Sequence, residues 1–291
     1  MYKRVSTKVL FICILFNCSF LCSKGFIDEF PKLYFHNSHE MIDKIKEIIT
    51  SRKKGALLRF GDGDLYIAKG GKSNHQKPDK KLAREMREAF QLDGPSIMKT
   101  LPIDCVTLSD EAEYMPKGMK TNLKWAKRFL NHAKDLWPSE ITDVYSTWSL
   151  PFLALQHSDD LVDFFRFLKS SNCCLLIGNS KIPRHLIDTL FGKDCHFIKT
   201  PGRNTYKNID KFEMKCLENI PDNDEYKIII TSMGCPGRVL QKRLWKKLDN
   251  VFFFDFGSLM DALCGWKTRR WIRDSKFDGK YFVERLKVEL N

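Results

Sequence analysis

Apolar residues fall along this chain in two alternating patterns: short continuous runs, and stretches in which they recur every three or four positions. The continuous runs predict strands beginning at Gly55 and spanning Cys105–Ser109, Val144–Trp148, Cys173–Gly178, His196–Thr200, Tyr226–Thr231 and Val251–Phe256. The periodic stretches predict amphipathic helices. Ser38 caps one that runs to about Thr50, with Met41, Ile42, Ile45, Ile48 and Ile49 on one face. Pro78-Asp79 opens a basic helix that ends near Gln91, and Thr121 caps a third whose Leu123, Trp125, Ala126, Phe129, Leu130 and Ala133 repeat at helical spacing. In the second half each strand is followed by a helix. Strands alternating with helices specify βαβ units, so the expectation is an α/β fold: a single Rossmann-like domain over residues 26–291, with a mostly parallel sheet flanked by helices.

The first 25 residues follow neither pattern. Lys3, Arg4 and Lys8 precede a fourteen-residue apolar stretch, Val9–Cys22, which ends at Ser23-Lys24-Gly25. A basic start, a short apolar segment and small residues predict a signal peptide or signal anchor, with a buried N-terminal helix as the alternative reading. The expectation is therefore a protein of the secretory pathway (ER or Golgi lumen, membrane-anchored or secreted) rather than the cytoplasm, with membrane association through residues 9–22.

Composition narrows the partners. A formal net charge of +13 over 291 residues suits a polyanion such as a nucleotide sugar, an acidic glycan, a nucleic acid or a membrane face. Seven of the ten cysteines lie beyond the leader, and this odd number without C-x-x-C spacing argues against a zinc site and against a complete disulfide framework.

Candidate chemistry gathers where strands end. The Gly55 run closes on Arg59-Phe60-Gly61-Asp62-Gly63-Asp64, a loop at the carboxyl end of a strand, which is where open α/β sheets bind ligands. Asp62 and Asp64, on backbone loosened by Gly61 and Gly63, can supply hard oxygen ligands to one Mg²⁺ or Mn²⁺ whose shell a diphosphate completes. Arg59 can bond either aspartate or a phosphate, or form a structural ion pair. After the Tyr226 strand comes Ser232-Met233-Gly234-Cys235-Pro236-Gly237-Arg238. Here Ser232, Gly234, Gly237 and Arg238 can cradle a phosphate at a helix N-terminus, or the segment is an ordinary turn with Pro236 in the first helical turn. The turn Gly178-Asn179-Ser180 is either a ribose, base or sugar contact or a helix cap. Asp110, Glu111, Asp255 and Asp261 all stand at strand ends as candidate general bases, and the sequence does not rank them. Gly70-Gly71-Lys72-Ser73 imitates the end of a P-loop but lacks its first glycine, and no G-x-G-x-x-G, H-E-x-x-H or G-x-S-x-G occurs.

The block from Arg59 to Asp64, the Met233–Gly237 turn followed by Val239-Leu240, and the strand end Asp255-Phe256-Gly257 together resemble the GT-D-type glycosyltransferases over roughly residues 39 to 265. The resemblance implies a Rossmann-like glycosyltransferase that moves a hexose or related sugar from a UDP-sugar donor to a glycan or other hydroxyl acceptor, with Mn²⁺ as metal. It implies that Asp62 and Asp64 are the acidic pair, Asp64 standing where the family usually has Glu, and that Gly234 and Gly237 line the diphosphate. Ser258 stands where a histidine is expected. Two other readings share these residues: a non-catalytic basic binder of acidic glycans or nucleic acid, and a metal-dependent phospho- or nucleotidyltransferase. Nucleic acid is the less expected partner.

Overall fold

The computed structural model describes residues 32–73, 75–103, 123–137, 142–275 and 277–290. The leader of residues 1–25, the Cys105–Ser109 strand, the Thr121 cap, and the candidate bases Asp110 and Glu111 lie outside the described residues.

Strand β1 (Tyr34–Phe35) leads into helix α1 (Ser38–Thr50), strand β2 (Gly55–Arg59), and helices α2 (Asp62–Ala68) and α3 (Lys80–Phe90). Strand β3 (Ile97–Leu101), helix α4 (Leu123–Lys134), strand β4 (Asp143–Ser146), and helices α5 (Ser149–Gln156) and α6 (Ser158–Ser170) follow. The remainder alternates: β5 (Cys173–Asn179), α7 (Arg184–Phe191), β6 (His196–Thr200), a 3₁₀ turn (Thr205–Asn208), α8 (Ile209–Asn219), β7 (Lys227–Ser232), α9 (Pro236–Trp245) and β8 (Val251–Asp255). Three helices close the chain: α10 (Leu259–Leu263), α11 (Arg270–Asp274) and α12 (Gly279–Glu289).

The eight strands form one sheet in the order β1-β4-β3-β2-β8-β7-β5-β6, and every pairing is parallel. Helices cover both faces, so central strands are apolar throughout rather than alternating. In β8, Phe252 and Phe254 enter the core layer that holds Ile45, Ile48 and Phe164, while Phe253 between them enters the layer that holds Leu58, Met86 and Leu240. All three are fully buried. The expected single α/β domain with a parallel sheet is what the chain forms.

Three local expectations change. Asn37, not Ser38, caps α1: its side chain accepts from Glu40 N while Glu40 accepts from Asn37 N, a reciprocal box that leaves Ser38 as the first helical residue. The strand beside β2 is Ile97–Leu101, a run that Lys99 disguises in the sequence. Lys99 is buried with its ammonium 4.9 Å from the Trp137 ring centroid, and burial lowers its pKa to about 8. The acidic triplet is not a loop either, because Asp62, Gly63 and Asp64 form the first turn of α2.

At the amino end of β2, a Cβ on Gly55 would lie 2.6 Å from Ile48 Cγ2 and 2.9 Å from Phe252 Cδ2. The first helix therefore seats on the sheet only because this residue has no side chain. Gly55→Ala is expected to cost about 1–3 kcal/mol by overpacking, read as a lower urea midpoint with an unchanged m-value.

Candidate functional site

The chain connection after β5 runs out to β6 at the sheet edge, while that after β7 runs inward to β8. Adjacent strands whose onward connections diverge leave a crevice at their carboxyl ends. A cleft of about 450 Å³ opens there, lined by Asn179–Lys181 after β5, Thr200–Arg203 after β6, Ser232–Pro236 after β7, and Asp261, Trp266, Thr268 and Arg269 beyond β8. His75 and Gln76 close one wall from the α2–α3 connection. That wall is stitched down by Asn204, whose N–H donates to the His75 carbonyl at 2.9 Å and whose side chain accepts from Lys77 N at 3.1 Å.

The cleft is strongly cationic. Lys181, Arg203 and Arg269 line it and are exposed, whereas Asp261 is its one lining carboxylate among the described residues. Asp261 Oδ2 accepts from the Thr268 hydroxyl at 2.5 Å. Burial raises the pKa of Asp261 against the opposing pull of Thr268, Arg269, His75 and Arg59. Burial likewise lowers that of His75, and Arg269 adds to the effect.

Beneath this cleft the three motif blocks meet in one buried cluster. Arg238, only 5% exposed, places Nη1 3.0 Å from Asp255 Oδ2 and Nε 3.7 Å from Asp64 Oδ1. The same two nitrogens also donate to main-chain carbonyls, Nε to Arg59 and Nη1 to Gly234. Asp64 Oδ2 caps α2 by accepting from Gly61 N at 2.7 Å, and Asp255 Oδ1 accepts from Gly257 N at 2.9 Å. The Arg59 guanidinium lies over Gly257, where φ is +60° and a Cβ would fall 1.8 Å from Nη1. Two arginines and two aspartates thus neutralise each other. Burial lowers the Arg59 pKa to about 10 even with Asp255 beside it, and raises that of Asp255 against Arg238 and Arg59. Burial alone would lower the Arg238 pKa, but Asp255 and Asp64 more than reverse that, holding the group charged.

The sequence candidates therefore divide. Asn179, Ser180, Ser232 and Gly234 line the cleft, and Gly234 adopts the left-handed φ of +67° there. Gly178 is packed inside the sheet, where a Cβ would meet Ile182 at 2.8 Å, and buried Gly237 packs against Met233 and Thr231. Arg238, expected to reach a phosphate, turns inward instead because two buried carboxylates need a counter-charge. The N–H groups of Gly237 and Arg238 close onto the carbonyls of Gly234 and Cys235 at 2.9 and 3.3 Å. The positive end of the α9 dipole, more than free N–H groups, consequently faces the cleft.

A cation shared by Asp62 and Asp64 fits only at one of them. Asp62 is exposed, with Oδ1 accepting from Gly63 N at 2.8 Å, and a single exposed carboxylate joined by phosphate oxygens suits Mn²⁺ or Mg²⁺. Asp64 is 3% exposed, and its one uncommitted oxygen, Oδ1, is sealed from solvent beside Arg238. Gly63 brings this turn near the cleft, since a Cβ there would be 3.6 Å from the sulfur of cleft-lining Cys235. Among the described residues, a metal-type cluster of three side chains occurs at His39, His157 and Asp160, none of which lines the cleft.

Sequence reasoning did not single out Lys181, Arg203 or His75. Arg203 follows β6 in Thr200-Pro201-Gly202-Arg203, a strand-end turn like Gly178-Asn179-Ser180, so position after a strand is the available signal. Beyond α10, Trp266 and Arg269 line the cleft, while Trp271 is buried and donates Nε1–H to Ser258 Oγ at 3.0 Å. Ser258 is thereby occupied as an anchor.

Comparison with known proteins finds a match to the family described as glycosyltransferase GT-D fold over residues 57–284. Among solved structures, the chain is similar to a highly conserved domain of unknown function 1792 described as having a distinct glycosyltransferase fold. That similarity has a TM-score of 0.61 at 18% identity and covers 84% of each chain. It is also similar to a structure described as a new glycosyltransferase (DUF1792) from Streptococcus sanguinis, with a TM-score of 0.60 at 20% identity, covering 80% of this chain and 84% of that one. At these identities the likeness speaks to the fold. No curated protein matches the sequence.

Removing one charge from the buried cluster strands its partner. Asp64→Asn is expected to lose about 3 kcal/mol of stability in denaturant titration, and Asp62→Asn, at the exposed position, less than about 0.5 kcal/mol.

Proposed function

The chain belongs to the GT-D fold family of glycosyltransferases, and on that premise we propose that it transfers a sugar from a nucleotide-sugar donor, a UDP-sugar, to a hydroxyl of a glycan or glycoconjugate. The observation that carries this reading is the cationic cleft at the divergence of β5 and β7, about 450 Å³ in volume and within the usual size of a small-molecule site. A donor diphosphate brings two negative charges. Lys181, Arg203, Arg269 and the α9 dipole end are the groups that would receive them, and as the glycosidic bond breaks they stabilise the charge gathering on the departing nucleoside diphosphate. Trp266, half-buried in the lining, offers an apolar face for a base or sugar ring.

Manganese or magnesium is the finer part of the reading. Asp62 would hold it with the donor phosphates, and the ion would supply Lewis-acid charge at the diphosphate. Asp64 contributes indirectly, through the cap that fixes the first turn of α2. A lumenal, secretory-pathway setting is supported by the basic-apolar pattern of residues 1–25. Among the described residues no helix is long and apolar enough to cross a membrane.

Thermal shift and calorimetry with a panel of nucleotide sugars, each with Mn²⁺ and with EDTA, test the reading. The expected result is stabilisation by a UDP-sugar and, with an acceptor, release of UDP. Release of phosphate or pyrophosphate would instead show a phospho- or nucleotidyltransferase, and binding that needs neither donor nor metal and falls steeply with salt would show a basic glycan or nucleic-acid binder. Arg203→Ala and Arg269→Ala are each expected to weaken donor binding by roughly 10- to 100-fold, the equivalent of one charge-assisted hydrogen bond to phosphate. Asp62→Ala is expected to retain fold stability and lose the difference between the manganese and EDTA arms.

A further inference from the structure

We propose that Asp261 is the general base of the transfer, taking the proton of the acceptor hydroxyl as that oxygen attacks the anomeric carbon. The inference rests on the glycosyltransferase reading and adds to it a residue, a direction of proton transfer and a stereochemical outcome.

Geometry singles out this carboxylate. Of the described acidic residues that stand at strand ends, Asp255 is locked against Arg238 and Gly257 N, and Asp64 against Arg238 and Gly61 N; both are sealed from the cleft. Asp62 is exposed but is not among the residues lining the cleft. Asp261 lines it, on the same wall as Trp266, Thr268 and Arg269. The Thr268 hydroxyl fixes Oδ2, and the Trp266 N–H donates to the Asp261 main-chain carbonyl at 2.8 Å, so the segment that follows α10 is folded back upon this residue. Oδ1 has no protein partner among the described hydrogen bonds. A carboxylate held by one oxygen and open at the other has the form a proton acceptor needs.

The charge distribution supports the same assignment. Cations occupy the β5, β6 and α11 sides of the cleft, as the leaving diphosphate requires, and one anion stands among them. Sugar transfer builds positive charge on the anomeric carbon while negative charge builds on the leaving oxygen. A carboxylate beside the first and guanidinium and ammonium groups beside the second match both ends of that dipole. His75, the other proton acceptor in the lining, carries no negative charge when unprotonated and meets only the proton-transfer requirement.

In the step itself, the acceptor oxygen forms a bond to the anomeric carbon while its proton passes to Asp261. The bond from that carbon to the diphosphate oxygen breaks, and its electron pair leaves with the nucleoside diphosphate. A single displacement of this kind inverts the anomeric configuration.

The groups facing Asp261 are Thr268 and Arg269 from the segment after α10, His75 from the α2–α3 connection, Arg59 from β2, and Cys264 at the end of α10. Burial outweighs the hydrogen bond and the cations, which raises the carboxyl pKa above the usual aspartate range. A base works only when deprotonated. The transfer rate should therefore climb with pH along a limb set above the ordinary carboxylate range, and then level off.

The experiment compares wild type, Asp261→Asn and Asp261→Glu, measuring UDP-sugar affinity, transfer rate against pH, and the anomeric configuration of the product. Asp261→Asn can still accept from Thr268, so it is expected to keep its melting temperature and donor affinity within about twofold. Its transfer rate should fall by about 10²–10⁴-fold, the usual worth of a general base, and the acidic limb should disappear. Asp261→Glu is expected to recover part of the rate and to restore a limb. Transfer by Asp261→Asn at a near wild-type rate with the limb intact would show that another group is the base and overturn the proposal. A retained anomeric configuration would overturn it also, while leaving the glycosyltransferase reading in place. Failure of the wild type to bind any nucleotide sugar would remove both.

Discussion

Arg238 between Asp64 and Asp255 is the interaction on which the rest of this structure depends. Three ionised groups held this far from water would each cost several kcal/mol if left alone, and they persist because each supplies what the others lack. Asp255 ends β8, Asp64 sits in the first turn of α2, and Arg238 opens α9. One guanidinium therefore fixes the spacing of a strand end and two helix starts, and its bonds to the Arg59 and Gly234 carbonyls bind β2 and the β7–α9 turn to the same point. Arg59 lies on Gly257 above it, in a space that any side chain at position 257 would fill. Such a cluster contributes less to net stability than an apolar core of the same volume would. Its effect is on arrangement, because displacing any one of the three groups strands a buried charge.

Above this neutral base the cleft carries the opposite character. Its lining residues come from loops and element ends rather than from strand interiors, and its Lys181, Arg203 and Arg269 side chains are solvated, so they remain free to exchange water for phosphate oxygens. Cys235 marks the boundary between the two zones. It lines the cleft, yet its thiol lies 3.8 Å from Ser73 Oγ, and its pKa is raised chiefly by burial, with Asp64 adding to that. A second network braces the wall from outside: Arg243 binds Glu85, Asp210 and Glu213, and Tyr206 donates to Glu85 Oε2 at 2.9 Å, tying α3, α8 and α9 together around the connection that carries His75.

The family match places the chain among proteins of the glycosyltransferase GT-D fold. Within the acidic motif the two aspartates stand in different settings. Asp64, shorter by a methylene than the glutamate expected at its position, folds back to cap its own helix and pair with Arg238. Asp62 keeps its carboxylate at the surface. The motif is therefore a buried structural clasp at Asp64 and an exposed carboxylate at Asp62.

Much of the fold was legible in the sequence. Continuous apolar runs rich in β-branched and aromatic residues, such as Ile228-Ile229-Ile230 and Phe252-Phe253-Phe254, read as strands buried on both faces, and the helical spacing of Met41, Ile45 and Ile48 marks which side of α1 meets the sheet. Lys99 hid β3, because pattern reading treats a lysine as solvated and cannot see the Trp137 ring that shelters it. The strand-end turns were legible as places where ligands bind, but not which of their side chains face outward. Arg238 and Asp261 carry no local signal that sends one beneath the sheet's mouth and the other into it. That choice belongs to tertiary structure, because an ionised side chain turns toward whichever counter-charges the assembled fold brings within reach, and Asp64, Asp255 and Arg238 are neighbours only after strands far apart in sequence lie side by side.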